Sequence, residues 1–224
     1  MILKQIKQDD IAPIQTKFPR EFQTEVNERP NDPQAALTAY DCASLVQPFV
    51  VKKHRASRLH YDFRLQWNGV LKSWAIRKGP SYCEGVPCEA VEVEDHRKEN
   101  IAFEGVFPEG TPGAGPTLPW DLGLWMPLPG FQDVDGSLRR GCLEFTLHGK
   151  KLEGNWRLVR RAGSRGRSAI WDLIKLCDEF ARSKDAPSIV DEEPNSVLSG
   201  KSLEEVENEW KAGKKEHEQE PGLF

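Results

Sequence analysis

An all-β fold is what this sequence predicts: a compact antiparallel β-barrel with short flanking helices, an irregular N-terminal arm and an acidic C-terminal tail. Three observations carry the prediction. From Leu59 to Trp67 apolar and polar residues alternate strictly, which is the two-residue period of a strand with one face on a core. Further short runs repeat that period. Gly-rich turns separate them, while helical periodicity is sparse. The 224 residues suffice for one domain of ordinary size with a tail. The expected division is an arm packed on the barrel (1–44), the barrel itself (45–182), and a largely disordered or partly helical tail (183–224).

Taken in order, residues 1–48 are polar and broken by prolines at 13, 19, 30, 33 and 48. They read as a surface arm with a short helix near Pro33 to Tyr40. The first strand begins within Phe49–Lys53. In the second, Leu59, Tyr61, Phe63, Leu65 and Trp67 take one face, and His60, Asp62, Arg64 and Gln66 the other. Asn68-Gly69 suits a type I′ hairpin turn, whose two central residues need positive φ, and Val70–Ile76 returns as the partner strand. In Ala90–His96 the alternation predicts Val91, Val93 and Asp95 on one face, with Glu92, Glu94 and His96 on the other. Phe103 to Gly130 is so dense in Gly and Pro that a structured loop is expected there, with no central strand. Cys142–Leu147 and Leu152–Val159 form another hairpin, and Ile170–Lys175 a further strand. Ser202-Leu-Glu-Glu205 matches a capping box at the start of an exposed helix, in surroundings poor enough in apolar residues to predict disorder.

No run approaches the ~18 apolar residues of a membrane span. Five cysteines, odd in number and without a Cys-x-x-Cys pair, point to a reducing, intracellular setting, nucleus or cytoplasm left open. A monomer without a membrane partner is expected. Charge is unevenly spread: 11 acidic and 4 basic residues from Asp185 onward leave −7 there and +3 on residues 1–184, for a net −4. The body is therefore compatible with a phosphate-bearing partner. The basic run Lys150, Lys151, Arg157, Arg160, Arg161, Arg165 and Arg167 reads either as a nucleic-acid track or as a solvated hairpin.

Chemistry concentrates on the polar face of the second strand. His60 and Asp62 project from one face and can share an ion, with His54 or His96 as a third ligand. Imidazole plus carboxylate suits Mn, Fe, Zn or Ni better than Ca or Mg. One step on, Arg64 offers a planar fork for phosphate or carboxylate. Metal beside guanidinium is what phosphoryl hydrolysis needs, since both meet developing negative charge. Lys78, Glu94 and Asp95 are secondary candidates that read equally well as solvated charges. Glu94 could orient a histidine through its second ring nitrogen.

The segments FVVKKHRASRLHYDFRLQWNGVLKSWAIRKGPS, VEVEDH, FEGVFPEGTPGAG, LHGKKLEGNWRLVR and IWDLIK, in that order, resemble the 3′-phosphoesterase domain of bacterial DNA ligase D and its stand-alone relatives. The resemblance covers about Phe49 to Ala181. It implies a β-barrel that uses Mn²⁺, or another divalent transition metal, at DNA or RNA–DNA primer-template 3′ ends. Such an enzyme removes a terminal ribonucleoside and then the remaining 3′-phosphate, with a separate ligase or polymerase as partner. It implies His54, His60 and Asp62 as metal ligands, Arg64 and His96 on the scissile phosphate, and Lys78 and Glu94 at further polar positions. Upstream, Arg20-Glu21-Phe22 stands where the family has Arg-Asp-Phe, and Glu28 lies near a further family Glu. Two departures follow: Asn100 replaces a tyrosine four residues after His96, and Cys88 replaces an arginine eight residues before it.

Two other readings compete. His60, Asp62 and His96 satisfy the formula of an Fe(II) oxygenase triad. Alternatively the chain is a degenerate module that binds DNA ends without cutting, for which Asn100 and Cys88 are the motive.

Overall fold

The alternating strands close on themselves. The computed structural model describes residues 45–219, apart from 165 and 167. Its strands are β1 (Gln47–Arg55), β2 (Leu59–Trp67), β3 (Val70–Ile76), β4 (Cys88–Arg97), β5 (Gly105–Phe107), β6 (Gly115–Pro127), β7 (Cys142–Gly149), β8 (Glu153–Arg160) and β9 (Ile170–Lys175). The sheet order β1-β2-β3-β4-β9-β8-β7-β6 is closed by β6 pairing with β1, so eight antiparallel strands make a barrel. The short β5 pairs with the first three residues of β6. The β2–β3 hairpin turns at Asn68 and Gly69, with φ of 49° and 80°, as a type I′ turn requires.

Inside the barrel, Tyr61, Phe63 and Leu65 of β2 meet Trp74, Trp125, Phe145, Trp156 and Trp171 in one buried cluster. Phe63 stacks on Phe145 with centroids 5.9 Å apart. A second, smaller cluster of Val50, Leu71, Ile101 and Leu122 lies on the outer side of the wall. The outer face of β1–β2–β3 is therefore partly roofed, and the roof is the segment that leads from β4 into β5.

The expected loop from Phe103 to Gly130 is a correction: it contains β6, at 13 residues the longest of these strands. Its prolines sit where a ladder tolerates them. Pro116 and Pro127 are at the ends, and Pro119 stands at a bulge, where the partners pass from Val51↔Asp121 to Lys52↔Pro119 and skip Trp120. A missing N–H costs little at such an irregularity. Gly115 is required at the start of β6, since a Cβ there would lie 2.0 Å from the Arg55 carbonyl oxygen.

The helices are α1 (Val134–Arg140), α2 (Ile189–Glu192) and α3 (Leu203–Gln219). Asp133 caps α1 by accepting from Gly136 N at 2.9 Å, and Gly141 ends it at φ 85°. The capping box of α3 forms, with Glu205 Oε2 accepting from Ser202 N at 2.8 Å and Ser202 Oγ from Glu205 N at 3.2 Å. The described part of the tail packs at four points where composition predicts disorder: Ile189, Val190, Leu203 and Val206 join the barrel's core cluster. Its apolar residues are few, but they fall at the points of contact, which average composition does not show. Residues 1–44, with the expected arm and its short helix, lie outside the described residues.

Among the described residues, the cations of the basic run from Lys150 have partners within the protein. Arg157 pairs with Glu144, and Arg161 with Glu89 and Asp172. Arg160 donates to the Arg139 carbonyl and lies over Trp171. Lys151 Nζ donates to the Glu193 and Asn195 carbonyls at 2.8 and 2.6 Å. These cations hold the barrel and its tail together. Arg165 and Arg167 lie outside the described residues.

Candidate metal centre

Strand pairing assembles the centre. His54 of β1 is the direct partner of His60 of β2, and antiparallel partners share a face, so the two rings meet with centroids 4.8 Å apart. Asp62 follows on that face, and one ligand atom from each of His54, His60 and Asp62 lies within 4.8 Å of the others. The face is the outer one, opposite Tyr61 and Phe63. Asp62 and Arg64 are nevertheless buried there, at 7% and 8% exposure.

Backbone carbonyls orient both imidazoles. His54 Nε2 lies 2.8 Å from the Gly113 oxygen, and His60 Nδ1 lies 3.0 Å from the Arg58 oxygen. A carbonyl only accepts, so each of these nitrogens carries the proton. In the neutral rings that a metal would bind, His54 Nδ1 and His60 Nε2 are the lone pairs, and they face Asp62 at 3.9 Å from Oδ2 and 3.4 Å from Oδ1. Ligating histidines commonly donate their second N–H in this way. Two neutral imidazole nitrogens and one carboxylate fit a borderline divalent ion such as Mn, Fe or Zn, and the geometry brings the three donors together.

Arg64 completes the cluster. Its Nη2 donates to Asp62 Oδ2 at 2.8 Å, while its Nε is buried without a hydrogen-bond partner among the described residues. When His60 is protonated its Nε2 donates to Asp62: burial would raise the Asp62 carboxyl, but that hydrogen bond, the Arg64 charge and both rings outweigh it and hold the pKa at about 2. That Asp62 hydrogen bond raises His60, whereas burial lowers His54.

His96 arrives by a route the alternation does not show. Ser73 pairs with Val93 and Leu71 with His96, so β4 carries one extra residue between them. This bulge turns His96 to the face of Val91 and Val93, away from the side that strict alternation assigns it. Ser73 Oγ donates to the Leu71 oxygen at 2.8 Å, so its 3.2 Å approach to His96 Nδ1 makes the ring the donor. A hydrogen bond to the Glu94 backbone also holds the ring, and burial, aided by the charge of Arg64, lowers its pKa. His96 is not one of the three clustered donors.

The remaining candidates scatter. Lys78 is exposed two residues beyond β3, at the His60 end of β2. Asn100 is exposed in a 3₁₀ turn, Lys98–Asn100, that begins the roof. Asp95 pairs with Lys72 Nζ at 2.7 Å and acts on the adjacent His96 only through its charge. Cys88 packs against the barrel's core cluster. Arg20, Glu21 and Glu28 lie outside the described residues.

Sequence reasoning missed Lys52. It is 2% exposed and stands directly across from Asp62. Its Nζ donates to the Phe103 carbonyl and holds the roof on the wall. Burial, then the charge of Arg64, pushes its pKa well below the usual lysine value. The available signal was parity, because Lys52 shares the strand face of His54 two residues on.

A closed antiparallel barrel bearing a His–His–Asp cluster on its outer wall, with a guanidinium bound to the carboxylate, is the class that fold and centre define. The family model for the DNA Ligase D 3'-phosphoesterase domain matches residues 52–160, and the chain carries a domain of that family. It is 44% identical over 172 residues to the multifunctional non-homologous end joining protein LigD of Pseudomonas aeruginosa, covering 77% of this chain and 20% of that protein. Against the LigD proteins of Mycobacterium tuberculosis and Mycolicibacterium smegmatis, identity is 35% over 133 residues and 39% over 120. Those matches cover 59% and 51% of this chain, and 17% and 16% of the relatives. The chain thus spans about a fifth or less of the length of these relatives.

Proposed function

We propose that this protein is a metal-dependent 3′-end-processing phosphoesterase. It acts on DNA or RNA–DNA primer ends, removes a terminal ribonucleoside and then the 3′-phosphate, and leaves a 3′-hydroxyl for a ligase or polymerase. The observation that carries the reading is the buried Arg64, locked to Asp62 through Nη2 with its Nε unpartnered among the described residues, beside a three-donor metal cluster. His54 Nδ1, His60 Nε2 and Asp62 would hold the ion, with Mn²⁺ as the first candidate. When bound, the ion supplies Lewis acidity at a phosphoryl oxygen. Arg64 and His96 grip the same phosphate, and both meet its developing charge from fixed positions. Lys78, Asn100 and Glu94 are assigned to the rim of the site, and Arg20, Glu21 and Glu28 to substrate contact from the N-terminal segment.

The oxygenase reading fares worse. It takes its third ligand from His96, whereas His54 completes the cluster and His96 turns to Ser73.

The test is product analysis on a labelled primer-template ending in one ribonucleotide, with Mn²⁺ present. A 3′-phosphate should appear first and a 3′-hydroxyl later, with release of inorganic phosphate. Binding without metal-dependent phosphate release would leave the degenerate end-binding module as the answer. Asn100 is shorter than the family tyrosine and has no phenol to align the phosphate, so turnover should be weak. Asn100→Tyr should raise it, and no gain on either a 3′-phosphate or a 3′-ribonucleotide end would show that Asn100 is not limiting.

A further inference from the structure

Resting on that reading, we infer that the outer face of β3, β4 and β9 is a platform for the terminal nucleoside. Pairing extends the rows of the metal centre across the wall. Asp62 is partnered by Ala75, Ala75 by Val91 and Val91 by Ile170. Arg64 is partnered by Ser73, and Ser73 by Val93. Partners share a face, so Ala75, Val91, Val93 and Ile170 form an apolar strip on the outside of the barrel, continuous with the centre. All four are half-buried, where an outward-facing antiparallel wall ordinarily carries polar side chains.

Position selects the occupant. On its β1 side the centre is walled by the roof, which Lys52 holds at Phe103, and by the β5–β6 connection, which His54 meets at Gly113. A phosphate gripped by Arg64 and His96 must therefore have its nucleoside over β3 and β4. Neighbouring strands are spaced about 4.8 Å apart, so Val93 lies roughly 10 Å across the sheet from Arg64, within the reach of a nucleoside from its own 3′-phosphate. Exposed Arg77 and Lys98 flank the strip beyond β3 and β4, as a polyanionic chain crossing it would require. Aliphatic side chains contact any base alike, so the platform serves processing of ends irrespective of sequence.

The full-length chain is titrated in EDTA, where nothing is turned over, with a fluorescein-labelled oligodeoxynucleotide ending in a 3′-phosphate. The comparison ligand is the same strand with an abasic last residue. Fluorescence anisotropy should show about tenfold tighter binding of the base-bearing end, the order expected for covering part of one base face. Val93→Asp should bind the two ends alike. Val93→Thr, which keeps the β-branched shape, should fall between and guards against a folding defect. Equal binding of both ends by the unmodified protein, measurable or not, overturns the proposal. Discrimination retained in Val93→Asp does so too, and with a lowered melting temperature it would assign the strip to packing. Discrimination without metal-dependent phosphate release would keep the platform and defeat the hydrolytic reading instead.

Discussion

Replacing His60 with alanine is expected to weaken Mn²⁺ binding by at least about 100-fold and to remove phosphate release by two decades or more. Loss of an outer partner of a metal ligand already costs about 10–100-fold in affinity, and His60 is one of only three donors in this cluster. The fold should survive, because His60 faces out of the barrel and only its neighbours Tyr61 and Phe63 belong to the core. Titration calorimetry with Mn²⁺, alongside far-ultraviolet circular dichroism, separates these effects. Stoichiometric Mn²⁺ binding by a folded His60→Ala protein would refute the ligand assignment. Arg64→Ala, which removes the hydrogen bond to the ligand Asp62, should weaken Mn²⁺ binding by about 10–100-fold, and at saturating Mn²⁺ it should still lose roughly two decades in rate, the usual effect of removing one transition-state contact.

The residues of this centre were legible because a strand has an invariant period. His60, Asp62 and Arg64 stand two apart and must share a face, and the Asn68-Gly69 turn fixes where the partner strand begins. Three things were not legible, each for a physical reason. The bulge in β4 inserts one residue, and nothing in Val91 to His96 announces it, so alternation assigned His96 to the wrong side. The roof over Lys52 and Asp62 is a long-range contact, made by a segment whose Gly and Pro content reads locally as loop. The same composition hid β6, because a bulge permits a proline that a regular ladder would reject. Charge misled in the opposite direction: Arg157 and Arg161 look like free cations in sequence, and their carboxylate partners come from other strands. The tail shows the same limit, since a few apolar residues and backbone carbonyls that fall at the right contacts dock its described part.

Among substitutions away from the metal, Asp121→Ala should have the largest effect on stability, a loss on the order of 4 kcal/mol. Asp121 is fully buried. Its Oδ1 accepts from the N–H groups of Leu122, Lys150 and Lys151, at 2.9, 2.9 and 3.0 Å, and Oδ2 accepts from Leu152 N at 2.9 Å. One carboxylate thus satisfies the whole turn between β7 and β8. Each buried donor left without a partner costs about 1–3 kcal/mol, less where water can enter. The damage should spread, because Lys150 and Lys151 in that turn hold the tail carbonyls of Val197, Glu193 and Asn195. Ser196, between them, donates to Glu104 in the roof. Burial pushes the Asp121 carboxyl up to about 7, against the pull of its four N–H bonds. A pKa raised in the folded state adds stability that is fully present below the unfolded value near 3.8 and is lost as pH climbs through about 7. The deficit of Asp121→Ala relative to the unmodified protein should therefore be larger at pH 5 than at pH 8. Urea denaturation at the two pH values measures both quantities. A deficit that grows toward pH 8 would mean that the four N–H bonds outweigh burial and that Asp121 is ionised throughout. A deficit below about 1 kcal/mol at both pH values would mean that water replaces the carboxylate under the turn.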